Sequence, residues 1–420
     1  MDIEKLHQEF LASSGICTDT RKITKNCLFI ALKGDNFNGN TFAKEALKRG
    51  AYKVVIDENE HQSKQTILVE NCLKALQQLA AFHRKHLNLL ILSLTGSNGK
   101  TTTKELINVV LSTKFKTVAT KGNLNNHIGV PLTLLSMTSE TEFGIVEMGA
   151  NHLHEIENLC GITQPDYGYI TNFGKAHLEG FGSLEGVVKG KSELYNYLEN
   201  HSKTVFVNGN DTKQLELTKK MDRVVFNDTT IQLIDASNEV KVKFRNTEIQ
   251  SKLVGLYNYA NIAAAIAIGD YFNISEKQIK TAIESYIPQN NRSQRIEKAG
   301  HTILLDAYNA NPTSMMAALE NFKQAKGDRK VLILGDMFEV GTETEKEHQL
   351  IVDYLENNPL GNAYLVGSNF NKTKDEGNHI HTFKSFDDFK KQFSTEVFEN
   401  CFFLIKGSRG MALERVLDLL

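Results

Sequence analysis

Apolar residues recur along this chain in short runs that end in glycine or polar residues, and each run is followed by a stretch with helical spacing. That alternation of strand, loop and helix is how parallel α/β sheets are written in sequence. Residues 27–32 and 53–56 read as short strands, with residues 41–50 as the helix between them. Residues 88–94 form an apolar run with the flanks of a buried strand, followed at once by a glycine loop and a helix starting near Lys100. Further strands are expected at 143–148, 167–171 and 204–208, and the alanine-rich stretch 260–269 reads as a buried helix. Beyond Ser293 the pattern returns, with strands at 302–305, 330–334, 363–366 and 402–405. Each of these runs into a C-terminal loop, at 306–311, 335–336, 367–368 and 407–409, the edge where ligands of open α/β sheets gather.

Three α/β blocks result, at residues 1–85, 86–292 and 293–420. The length of 420 residues agrees, because domains average roughly 150 residues. With 41% hydrophobic and 23% charged residues the composition is globular and excludes disorder or fibre. A formal net charge of -2 leaves no broad basic surface, so nucleic acid is not an expected partner. Cys17, Cys27, Cys72, Cys160 and Cys401 lie far apart and read as buried thiols in a reducing compartment. The start of the chain lacks the apolar core of a secretory signal, and no stretch is long and apolar enough to span a bilayer. The expected location is the cytoplasm.

The sharpest local signal is Thr95-Gly96-Ser97-Asn98-Gly99-Lys100-Thr101-Thr102, set between an expected strand and an expected helix. Glycines let the backbone bend so that several N–H groups and the positive end of the helix face one anion, and Lys100 adds a point charge. Thr101 then offers a hydroxyl to a magnesium ion that bridges phosphates. Only two residues separate Gly96 from Gly99, where the common phosphate loop has four. A glycine turn capping a helix is the plainer reading, and the strand-loop-helix setting favours the phosphate site.

Glu147 ends one expected strand and His177 lies just beyond another, so a parallel sheet can bring both beside that loop. A carboxylate and an imidazole are feasible ligands for a second magnesium, which would neutralise charge on a moving phosphoryl group. Taken alone, each reads as a cap or a satisfied polar group. Lys191, in Lys189-Gly190-Lys191-Ser192-Glu193-Leu194, stands at the start of an amphipathic pattern and by itself reads as a solvated lysine. Held near other cations, a lysine can lose its proton and the neutral amine can then take up carbon dioxide as a carbamate.

These segments resemble the Mur ligase family, whose members join an amino acid or dipeptide to a UDP-muramoyl peptide using ATP. The likeness covers essentially the whole chain. Residues 95–103 resemble the family's ATP loop; Glu147-Met148-Gly149-Ala150-Asn151-His152 and Thr171-Asn172-Phe173-Gly174-Lys175-Ala176-His177-Leu178-Glu179 resemble its metal segments; Lys191 falls at its carbamylated lysine. The resemblance implies a small mixed α/β N-terminal domain, a central P-loop ATPase-like domain with a parallel sheet, and a Rossmann-like C-terminal domain. It also implies ATP, two Mg2+ ions and an N6-carboxylysine at Lys191. Thr95, Gly96, Ser97, Asn98, Gly99, Lys100, Thr101 and Thr102 would hold the phosphates. Asn258 and Arg292 would touch ATP, and Asp306 its ribose. Lys100, Glu147, His177 and Lys191 would carry the catalysis, the last three with Thr101 as metal ligands.

Thr18-Asp19-Thr20-Arg21 and Gly34-Asp35-Asn36-Phe37-Asn38-Gly39 are similar to the family's uridine-nucleotide segments, with Thr20 where serine is usual and Asn38 where aspartate is usual. Thr20, Arg21 and Asn36 would thus meet the nucleotide substrate. Gly122-Asn123-Leu124-Asn125-Asn126-His127-Ile128-Gly129-Val130-Pro131 and Asp306-Ala307-Tyr308-Asn309-Ala310-Asn311-Pro312 resemble the branch that adds D-alanyl-D-alanine to a UDP-N-acetylmuramoyl-tripeptide. Asn125, Asn126, Asn309 and Asn311 are its substrate positions. The branch that adds the third peptide residue usually has a histidine where Asn309 stands, and a late Asp-Asn-Pro-Arg that this sequence lacks. A sister that extends folate with glutamate is a further alternative. A nucleotide switch is a rival of another class, but the guanine-reading Asn-Lys-x-Asp is missing: Asn371-Lys372 is followed by Thr373 and Lys374. A monomer is expected, without membrane insertion.

Overall fold

A computed structural model describes residues 2–226, 229–289, 291–325, 327, 329–375, 377–393 and 399–420. The first sheet is wholly parallel, in the order β1 (Ile16–Cys17), β2 (Leu28–Ile30), β3 (Lys53–Ile56) and β4 (Thr66–Leu68). Helices α1 (Ile3–Leu11), α2 (Ala43–Lys48) and α3 (Cys72–Leu87) accompany it. The helix expected over 41–50 is shorter because residues 39–42 wind as a tighter 3-10 turn. The strands β1 and β4 escaped the sequence reading because two or three residues are too few to display a period.

The second sheet is also parallel and takes the order β10-β9-β8-β5-β7-β6. Its strands are β5 (Leu90–Thr95), β6 (Thr117–Ala119), β7 (Phe143–Glu147), β8 (Tyr167–Ile170), β9 (Thr204–Asn208) and β10 (Arg223–Phe226). β5 is central, and Ile91, Leu92 and Leu94 are fully buried, as a strand covered on both faces requires. Its helices include α4 (Lys100–Leu111), α5 (Gly129–Leu135), α6 (Glu155–Thr163), α7 (Leu178–Phe181) and α8 (Leu184–Asn200).

An antiparallel sheet that was not expected follows, built from β11 (Ile231–Asp235), β12 (Glu239–Phe244) and β13 (Thr247–Val254). In β12, Val240, Val242 and Phe244 are buried at alternate positions, the two-residue period of a half-covered strand. Helix α9 (Tyr257–Tyr271) is apolar on all sides and lies in the core, as the alanine-rich pattern anticipates.

The third sheet runs β14-β15-β19-β16-β17-β18, with β14 (Gln294–Lys298), β15 (His301–Asp306), β16 (Lys330–Gly335), β17 (Asn362–Val366), β18 (Ile380–Phe383) and β19 (Phe402–Lys406). Only β14 is antiparallel, and it was not foreseen. Helix α10 (Pro312–Gln324) opens with a capping box between Asn311 and Ser314 and with proline in its first turn. Helix α11 (Thr344–Asn357) packs beside it.

One apolar core runs unbroken from Leu6 and Phe10 in α1, through Leu76 and Leu79 in α3, to Val130 and Leu134 in α5 and Val205 in β9. The first two sheets therefore share a core. The third sheet has its own clusters on its two faces, around Leu332 and Leu334 and around Ile333 and Phe403. No helix among the described residues is long and apolar enough to cross a membrane.

Candidate active site

The glycine loop leaves the C-terminal end of β5 between the ends of β7 and β8, where sequence order reverses across the sheet. Gly96 has φ +140°, and a Cβ there would lie 2.0 Å from the Thr171 hydroxyl oxygen; Gly99 has φ +79° and precedes the first turn of α4. Both positions thus exclude a side chain by conformation and by space. Thr95, fully buried, and Gly96 do not line the cavity described below, whose lining on this loop starts at Ser97. Ser97 N donates to Asn172 O at 3.0 Å, and Asn98 N donates to Asn172 Oδ1 at 3.1 Å, so residues 171–174 brace it. Lys100 folds back and its Nζ donates to Gly96 O at 2.7 Å and Ser97 O at 3.2 Å. Burial pushes the Lys100 pKa down and Glu147 opposes that push.

Glu147, 1% exposed, ends β7. Thr101 Oγ1 donates to its Oε2 at 2.9 Å and Asn125 Nδ2 to its Oε1 at 2.8 Å. A hydroxyl and a carboxylate side by side are hard oxygen donors of the kind that suits Mg2+. His177 takes a left-handed conformation, φ +54°, at the start of α7. Its Nδ1 lies 2.5 Å from Glu339 Oε2 of the C-terminal block, a close contact outside hydrogen-bond geometry. The histidine holds the Glu339 carboxyl below its ordinary range. Among the described residues no group of three or more His, Cys, Asp and Glu side chains gathers as a ready metal cage. Metal held here would therefore take ligands from hydroxyls and phosphates as well.

Lys191 corrects its sequence reading in two respects. It sits in the middle of α8, not at a helix start, and it is fully buried rather than solvated. Its Nζ donates to Ala150 O at 2.9 Å and lies 5.0 Å from the centroid of the Phe181 ring. Burial, aided by the nearby charge of Lys100, pushes its pKa well down.

Across the cleft, Asn258 is buried, donating to Val254 O and accepting from Asn261 at 2.8 Å each. Arg292 stacks on Tyr308, with 3.7 Å from guanidinium to ring centroid, and its buried Nε has no partner. Asp306 ends β15, where Ser293 N (3.0 Å) and Lys406 Nζ (2.6 Å) donate to its two oxygens. Asn311 Nδ2 donates to Asn98 Oδ1 at 2.7 Å and so ties α10 to the glycine loop. Asn126 caps α5 through Ile128 N and Gly129 N, and Asn309 accepts from Ala310 N.

These groups surround one cavity of about 1020 Å³. Residues 97–102 line it together with Glu147, His177, Asn258, Arg292 and Asp306. So do Asn125, Asn126, Asn309 and Asn311. Lys191 stands behind the wall, touching it through Ala150. Thr20, Arg21 and Asn36 are elsewhere: they lie on the first block, with Arg21 paired to Asp19 at 2.9 Å and Asn36 exposed in a hairpin turn. Lys406 and Glu339, which also line the cavity, were missed. Lys406 ends a strand just as Glu147 does and could have been found by that rule; Glu339 lies four residues past its strand, beyond the reach of the rule.

The sequence matches the Mur ligase family catalytic domain over residues 13–84, the Mur ligase middle domain over 94–269 and the Mur ligase glutamate ligase domain over 291–409. It is 35% identical to the UDP-N-acetylmuramoyl-tripeptide--D-alanyl-D-alanine ligase of Bacillus subtilis strain 168, covering 96% of this chain and 92% of that one. The Escherichia coli K12 protein of the same name is 32% identical over 96% of this chain and 93% of its own length. Among solved structures, MurF from Acinetobacter baumannii superposes with a TM-score of 0.88 at 28% identity, covering 99% of this chain and 97% of that one. MurF ligase from Thermotoga maritima, solved in complex with ADP, gives 0.85 at 26% identity over 98% and 97%. With full-length relatives, all three family domains in order and a glycine loop facing the Thr101–Glu147 pair, the chain belongs to the Mur ligase family.

Proposed function

We propose that this chain is the ATP-dependent ligase that joins D-alanyl-D-alanine to UDP-N-acetylmuramoyl-tripeptide, acting as a cytoplasmic monomer in the last step that completes the UDP-linked pentapeptide. One observation carries the reading: the loop at residues 96–100 opens beside Glu147 and His177 into a cavity closed by residues of the third block. Residues 1–85 hold the uridine nucleotide, with contacts from Thr20, Arg21 and Asn36. Residues 86–292 hold ATP, and residues 293–420 close over it and the dipeptide.

The γ-phosphoryl group of ATP passes to the terminal carboxylate of the tripeptide, giving an acyl phosphate and ADP. The dipeptide amine attacks the acyl carbon, the C–O bond to phosphate breaks, phosphate leaves with that electron pair, and the amine gives up a proton. Lys100 and the loop N–H groups orient the phosphates, and Arg292, Asn258 and Asp306 fix the rest of the nucleotide. Thr101, Glu147 and His177 fit a magnesium site, and bound Mg2+ supplies charge neutralisation on the transferred group. Burial favours the uncharged form of the Lys191 amine, which can take up carbon dioxide with loss of a proton and present a carbamate to that site.

The test is a mass measurement of the products formed from ATP, Mg2+, the UDP-muramoyl tripeptide and D-alanyl-D-alanine. The expected product is the pentapeptide with ADP and phosphate; nucleotide hydrolysis that consumes neither acceptor would overturn the reading. Lys100→Ala is expected to slow acceptor-dependent phosphate release by about 10²–10³-fold.

A further inference from the structure

The loop after β16, residues 336–340, is held at three successive backbone N–H groups. Asp336 N donates to Val366 O at 3.2 Å, Met337 N to His348 Nε2 at 3.0 Å and Phe338 N to Ser408 Oγ at 2.8 Å. His348 is fully buried, and its Nδ1 lies 2.7 Å from Thr344 O, so the ring donates there and accepts from Met337 at the other nitrogen. The Asp336 carboxylate accepts Asn369 N at 2.9 Å and Phe370 N at 3.0 Å, which locks the neighbouring loop as well. At the tip of this scaffold stands Glu339, with φ +60°, a conformation that residues with side chains seldom adopt. Such departures are kept where surrounding structure enforces them, and they cluster at functional sites.

What the scaffold presents is a carboxylate aimed out of the third block at the second. Glu339 Oε2 meets His177 Nδ1 at 2.5 Å, and Glu339 O accepts Glu179 N at 3.2 Å. Imidazole ligands of metals are commonly oriented by a carboxylate on their other nitrogen. Here that partner comes from a different domain, so it is present only when the domains are together. We propose that Glu339 is a positioning residue: the C-terminal domain delivers its carboxylate to His177 on closure, and this contact sets the imidazole and its loop for the reaction. The inference rests on the ligase reading above and adds to it a residue that couples closure to turnover.

The experiment compares Glu339→Ala and Glu339→Gln with the parent protein. Glu339→Ala is expected to lower kcat by about 10–100-fold, with the KM for the UDP-tripeptide and the thermal midpoint unchanged. Glu339→Gln keeps an acceptor oxygen and is expected to recover part of the loss. In protein free of metal and nucleotide, amide hydrogen exchange over residues 172–181 is expected to quicken in Glu339→Ala and to stay the same over the remote strand 204–208. A kcat within about twofold of the parent, an effect on KM alone, or unchanged exchange over 172–181 each overturns the proposal. Should the parent form no pentapeptide, the functional reading falls, while the exchange comparison still judges the contact.

Discussion

The two domain boundaries of this chain mix apolar and polar contact in different proportions. Between the first and second sheets the boundary is dry: α3 lays Leu76 and Leu79 into a core shared with α5, and two of its polar residues, His83 and Arg84, are buried with them. His83 Nε2 reaches Met137 O at 3.0 Å, and Arg84 pairs with Asp166 at 2.9 Å. Between the second and third sheets the apolar seam is thin, Val254 and Leu178 against the third block's core, and polar pairs supplement it: Asn98 with Asn311, Lys175 N with Thr313 Oγ1, Lys175 with Glu347, and His177 with Glu339. Apolar burial is strong and non-directional, whereas ion pairs with one partner open to water, as in both pairs here, exchange more readily with solvent. The first boundary is therefore a weld and the second a clasp, which assigns motion to the third domain.

The weld is broken most severely from within. Leu79→Ala, at a fully buried position, is expected to cost about 2–5 kcal/mol. Calorimetry should show the first two domains melting together, in one transition that shifts down as a unit. Two separate transitions, with only one displaced, would show that the core is not shared.

Acid offers a second route into the same boundary. His7 Nε2 lies 2.9 Å from His83 Nδ1, and burial with the neighbouring His83 and His86 rings lowers the His7 pKa from 6.5 to about 4. Above pH 6.5 the ring is neutral in folded and unfolded chains alike and has no effect. Between pH 6.5 and 4 the unfolded chain takes up a proton that the folded one refuses, so stability falls with pH, by about 3 kcal/mol at the lower end. Denaturant midpoints across that range should flatten in His7→Gln.

The clasp responds more weakly and in a different observable. Glu347 is 4% exposed and its Oε1 lies 2.6 Å from Lys175 Nζ, which is half open to water. Glu347→Gln is expected to slow turnover by about fivefold, about 1 kcal/mol, while nucleotide affinity and the melting midpoint hold. A fall in melting midpoint comparable to that of Leu79→Ala would erase the distinction between the boundaries.

What could be read from sequence follows the same division. The glycine loop, Glu147 and the ends of β15 and β19 were legible because strand, turn and helix are local and each strand carries its own apolar run. Strands β1 and β4 were too short to register, and β11 to β13 were overlooked although β12 alternates plainly. The burial of Lys191 could not be foreseen, since it depends on Phe181 folding over it and on Ala150 from another strand end. Glu339 was invisible for a related reason: its partner is 162 positions away in the chain, by the difference of their numbers 339 and 177. Family resemblance supplied Lys191, Arg292 and Asn258, which no local pattern singles out.

The continuous core beneath α3 also bears on how such a chain can be cut and recombined. A break at residues 88–89, where the first sheet's last helix ends, would strip Leu76 and Leu79 from their partners Val130 and Leu134 and leave two halves with matching greasy faces. Grafting a foreign first domain onto this engine would need the α5 surface re-cut to fit, whereas exchanging the rear lobe near Ser293 would leave fewer apolar contacts to rebuild.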